Sequence, residues 1–84
     1  MKDHVITFRS ITPAQRAERA LNGAGISCYI QRTPKWMANK GCGYSLRLSW
    51  EQLPDAVEIL RQKGIAYQKI YRYEDRENVQ EVPL

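Results

Sequence analysis

Lys40-Gly41-Cys42-Gly43 sets one thiol between two glycines, directly after a lysine. The thiolate is the reactive form of cysteine, and nearby positive charge favours it. Glycine on both sides leaves the backbone free to turn and keeps bulky groups off the sulfur. A cysteine used only for packing would want apolar neighbours instead. The pattern points to a presented thiol: Cys42 as the reacting group, with Gly41, Gly43 and Lys40 as its setting.

The charge around it has one sign. No acidic residue occurs between Glu18 and Glu51, and that interval carries Arg19, Arg32, Lys35, Lys40 and Arg47. Either such a field attracts anions and stabilises a thiolate, or the interval is a solvated loop that happens to lack acids. Trp36 and Met37 stand in the same interval, in a stretch from Arg32 to Gly41 that Pro34, Asn39 and Gly41 keep irregular. Either they fold back over the domain, or with Arg32, Lys35 and Arg47 they form a partner-binding surface.

Other chemistry is poorly provided for. Two cysteines and one histidine cannot complete a four-ligand zinc site, so no metal and no cofactor are expected. His4, at the chain start, reads as a surface residue. There is no Ser/His/Asp set and no pair of carboxylates in a plausible cleft. The chain therefore reads as a carrier or accessory protein rather than a stand-alone enzyme.

The 84 residues make one domain, taken as 1–74, with 75–84 expected as a polar, mobile tail. No apolar run approaches the ~20 residues of a membrane helix. Met1-Lys2-Asp3-His4 is too short and too acidic for a secretory signal. A cytoplasmic protein is expected, where a disulfide between Cys28 and Cys42 would not persist.

The elements that must position Cys42 follow from periodicity. Val5–Arg9, Ile26–Ile30 and Cys42–Ser49 alternate as strands, and Ile65–Tyr73 reads as a fourth whose alternation is ambiguous. Cys28, between Ile26 and Ile30, reads as a core cysteine. Thr12-Pro13-Ala14-Gln15 reads as a helix start with Thr12 as cap, and Ala14, Ala17, Leu21 and Ala24 as its apolar stripe. Ser49-Trp50-Glu51-Gln52 opens a second helix to about Lys63, with stripe Leu53, Ala56, Val57 and Leu60. Pro54 removes a backbone bond just inside it, which predicts a tight first turn. Leu21…Gly25-Ile26 and Leu60…Gly64-Ile65 echo each other. The order βαββαβ predicts an α+β, ferredoxin-like fold: a four-stranded antiparallel sheet with two helices on one face. In that topology the loop ending at Cys42 lies beside the turn Ser10-Ile11-Thr12. Free amides at that helix start, around Ser10 and Thr12, would stabilise the thiolate.

The ordered set Phe8-Arg9-Ser10, Ala14 to Leu21, Gly25-Ile26, Cys42-Gly43 with Ser45-Leu46-Arg47, Gly64-Ile65 and Ile70-Tyr71-Arg72 resembles the small bacterial selenium/sulfur carrier-like domains. The resemblance runs over residues 4 to 74. It implies that Cys42 accepts sulfur or selenium as a persulfide or perselenide and passes it on. A sulfur- or selenium-donating enzyme, such as a cysteine desulfurase, would be the partner. Sulfur against selenium is left open.

Rival readings use the other sheet face, expected to carry Arg9, Tyr29, Arg47, Tyr71 and Tyr73. It would suit a second copy of the chain, another protein, or stacked RNA bases. The net charge of +4 is mild and the dense aromatic RNA-binding pattern is missing, which argues against nucleic acid. A small-molecule regulatory domain is the third alternative.

Overall fold

The computed structural model describes residues 3–33, 43–75 and 78–82. The elements run β1 (Asp3–Phe8), α1 (Ile11–Gly23), β2 (Cys28–Arg32), β3 (Tyr44–Ser49), a 3₁₀ turn at Trp50–Gln52, α2 (Leu53–Gln62), β4 (Lys69–Asp75) and β5 (Asn78–Glu81). The sheet order is β2-β3-β1-β4-β5, every neighbouring pair antiparallel. The described residues form an α+β protein with two helices and a five-stranded sheet.

The core lies between the helices and one sheet face. Ile6, Phe8, Leu46, Leu48 and Ile70 meet Ala14, Ala17 and Leu21 of α1 and Leu53, Ala56, Val57 and Leu60 of α2. The strand residues all share one parity in the register, so alternation alone aims them at the helices. Alanines on α1 let it lie close to the sheet. Ala24, expected on that stripe, is the exposed C-cap.

Helix starts differ from expectation: the cap of α1 comes two residues before Thr12, and α2 begins at Leu53 with Gln52, not Ser49, as its N-cap and no side-chain capping bond. Ser10, not Thr12, is the N-cap of α1, with extended backbone (φ −144, ψ 172). Pro13 then falls at the third helical position, still within the turn whose amides have no helical acceptor. Pro54 stands in the first turn of α2, and the tight turn expected there is the 3₁₀ turn.

Both helices end the same way. Gly25 and Gly64 adopt φ of 85° and 67°. Beyond them, Ile26 donates its amide to the Leu21 carbonyl at 2.9 Å, and Ile65 to Leu60 at 3.0 Å. This is the six-to-one Schellman closure, with its apolar pair inside. It also moves the strands. Ile26 and Ile65 were expected to open strands, but their amides are already used, so β2 begins at Cys28 and β4 at Lys69.

The largest correction is at the C-terminal end. Within the span expected as a tail, Asn78–Glu81 pairs with β4 as a fifth strand. Val82 follows, donates its amide to Ile70 at 2.8 Å and packs against the core. An unpaired β4 edge is a template for such a strand. No helix among the described residues is long and apolar enough to cross a membrane.

Candidate functional site

Three strand ends meet at one edge of the sheet. Tyr44, the first residue of β3, pairs with Phe8 at the end of β1 and with Arg32 at the end of β2. Gly43 precedes it and is exposed. Its carbonyl accepts the Thr33 amide at 3.3 Å. A β-carbon on Gly43 would stand 3.8 Å from the Arg9 carbonyl oxygen. Arg9 leads directly into Ser10 and α1. β3 therefore starts where α1 starts, because β3 lies between β1 and β2 and runs against both.

Among the described residues nothing caps the helix start at this edge. The Ser10 side chain makes no capping bond, and no acidic residue occupies the first turn. Ser10 and Thr12 are both exposed. First-turn amides without an internal acceptor carry the positive end of the helix dipole. Arg9 and Arg32 are exposed here as well, and neither is ion-paired among the described residues. The Arg32 guanidinium lies 5.8 Å from the centroid of the Tyr44 ring, within the range of a cation–π contact.

Arg47 does not join them. It sits three residues further along β3, on the opposite sheet face, and its Nε donates to the Asp3 carboxylate at 2.8 Å. Its charge is matched locally. Lys35, Trp36, Met37, Lys40, Gly41 and Cys42 lie outside the described residues.

The second thiol is in a different electrostatic setting. Cys28 is half-buried on β2, an edge strand, and packs against the core. Its Sγ is 3.7 Å from Asn22 Oδ1 and 4.0 Å from the Glu18 carbonyl oxygen. Burial, and then the Glu18 carboxylate, push its pKa up to about 11. At neutral pH Cys28 is a protonated, inert thiol.

His4 corrects the surface expectation. It shares parity with Ile6 and Phe8, which was visible in the sequence, and it is only 5% exposed. Its Nδ1 has no hydrogen-bond partner among the described residues. Burial lowers its pKa, the Arg72 charge lowers it further, and Asp3 opposes them. Among the described residues no three His, Cys, Asp or Glu side chains gather as a metal site requires.

The far sheet face is not the open platform expected. Val5, Thr7 and Ser45 at its centre are buried. Thr7 Oγ1 accepts the Lys69 amide at 3.0 Å and donates to the Lys69 carbonyl at 3.2 Å. Tyr71 is half-buried, and Tyr29, 53% exposed, is the one large apolar side chain left open among the described residues. One open ring gives little for bases to stack on.

The family model described as "Putative Se/S carrier protein-like" matches residues 3–72. No curated protein and no solved structure matches the chain.

Proposed function

Since the chain belongs to the Se/S carrier protein-like family, we propose that it carries sulfur or selenium on Cys42. The observation that carries this reading is that Gly43 lies beside the Arg9 backbone, at a start of α1 left without a side-chain cap among the described residues. Cys42 is covalently next to Gly43, one Cα spacing of about 3.8 Å away. Its thiolate is stabilised by the first-turn amides beyond Ser10 and by Arg9, Arg32 and Lys40. Cys28, held protonated beside Glu18, is the spectator.

Loading is a thiol exchange. The Cys42 thiolate attacks the terminal sulfur of a persulfide on a donor enzyme, such as a cysteine desulfurase. A new S–S bond forms to Cys42, the donor's S–S bond breaks, and the donor cysteine leaves as thiolate. No net oxidant or reductant is needed. Delivery repeats the exchange on an acceptor, and selenium substitutes as the perselenide. A reducing bacterial cytoplasm suits a thiol that must stay free. We read the fold as a ferredoxin-like core with a fifth strand added, a frame whose role is to bring β3 and α1 to one edge. Arg47 engaged by Asp3 leaves the far face little to offer RNA or a second copy.

The test is iodoacetamide labelling below neutral pH with residue-resolved mass spectrometry, on the native chain and on Cys42→Ser. Cys42 should label rapidly and Cys28 slowly, and freshly purified protein should carry one extra sulfur or selenium atom that Cys42→Ser lacks. Equal, sluggish labelling of both thiols would sink the reading.

A further inference from the structure

The two helices leave a groove of about 600 Å³ between them on the side away from the sheet. Its apolar floor is Ala20, Ile59 and Ile65, and its polar lining includes Arg16, Arg19 and Lys63. Among the described residues no aspartate or glutamate lines it. The one acid on α1, Glu18, is turned toward the sheet edge, where it accepts the Ile30 amide at 3.0 Å. On α2, Glu58 accepts a 3.5 Å bond from Gln62. Arg16, Arg19 and Lys63 are not ion-paired among the described residues. Three unmatched cations over an apolar floor form a surface complementary to an anionic, partly apolar partner.

We propose that this groove docks an acidic amphipathic segment of a partner protein. The shape favours a chain segment over a small anion. The groove is more open than enclosed, whereas small ligands are generally enclosed over most of their surface. A helix laid in it would cover Ala20 and Ile59 with its apolar stripe and set carboxylates against Arg16, Arg19 and Lys63. The topology gives the contact a direction. α2 ends where the chain returns to β4, and Lys69 pairs with Thr7 near the end of β1. Lys63 thus lies toward the sheet edge that holds Gly43. The groove does not depend on what Cys42 does.

The probe is a synthetic amphipathic helix of about four turns with a leucine stripe flanked by glutamates, followed by amide shifts and fluorescence anisotropy. The control is the same peptide with lysine for each glutamate. The glutamate peptide should shift amides between Arg16 and Ala24 and between Ile59 and Ile65, and bind more weakly as salt rises. Arg16→Glu with Arg19→Glu, both exposed positions, should weaken it by about tenfold or more with the thermal melt unchanged. Cys42→Ser should leave binding intact, which separates this surface from the carrier reading. Equal binding of the lysine peptide, an unchanged affinity in the reversed variant, or the same shifts from inorganic phosphate alone would each overturn it.

Discussion

The Ile30 amide donates to the Glu18 carboxylate at 3.0 Å, so a side chain of α1 closes a hydrogen-bonding position on the outer edge of β2. Edge strands with free amides invite pairing with other chains, and a charged acceptor over one of them blocks that. The same carboxylate raises the Cys28 thiol. One acid thus guards the edge and quiets the spectator cysteine.

Glu18→Ala should lower stability by about 1–2 kcal/mol, the worth of a part-exposed hydrogen bond to a charged group, read in urea melts. Glu18→Gln keeps an acceptor and should cost less. It also removes the charge, so Cys28 should alkylate faster near pH 9 than in the native chain. A Cys28 rate that ignores both substitutions would contradict the role given to Glu18. In the native protein the raised Cys28 pKa has a sign. The folded thiol holds its proton while the unfolded thiol ionises, so stability falls as pH rises from about 9 toward about 11.

Gly64→Ala and Gly25→Ala should each cost about 1–2 kcal/mol, because both residues sit in the left-handed region. No atom lies within 4 Å of an added β-carbon at either place, so the penalty is in the backbone alone. Gly23, the last residue of α1, with the same empty surroundings and no positive φ, is the control. Gly23→Ala should stabilise by roughly 0.5–1 kcal/mol. Thermal melts of the three variants test the contrast, and a loss at Gly23 equal to that at Gly64 would count against it.

His4 predicts an acid-side loss of stability. Its folded pKa lies below the ordinary 6.5, so below that pH the unfolded chain binds the proton first. Stability is full above pH 6.5 and falls as pH drops from there to the folded value. Urea unfolding at about pH 7.5 and about pH 5 should show a slope that His4→Leu flattens. An unchanged slope in that variant would assign the titration elsewhere.

Arg9 and Arg32 should matter to the carrier thiol, and Arg47 should not. Arg9→Gln or Arg32→Gln removes a positive charge from the Gly43 edge, and should slow iodoacetamide labelling of Cys42 near neutral pH by about twofold to tenfold. Arg47→Gln breaks a pair with Asp3 on the other face and should leave that rate alone. Equal effects from all three would mean that net charge, and not placement, governs the thiol.

Much of this protein is legible one residue at a time. Alternation aims Ile6, Phe8, Leu46 and Leu48 to one side, and the spacing of Ala14, Ala17 and Leu21 defines the helix face that meets them. The paired Leu…Gly-Ile endings announce both helix stops. These are local rules, set by the pitch of a helix and the pleat of a strand. The glycine-flanked thiol is equally a matter of composition.

Other features needed the folded chain. Asn78-Val79-Gln80-Glu81 has no strand pattern of its own and becomes β5 because β4 leaves an edge to pair with. Strands β2 and β4 start late because Ile26 and Ile65 give their amides to Leu21 and Leu60. Arg47 looked like part of a basic field until Asp3, 44 positions earlier in the chain, was found against it. Residue types and their periods set the elements and their inward faces. Which charges cancel, which thiol stays silent and which edge collects the free cations depend on contacts between distant positions, and only the packed chain brings those together.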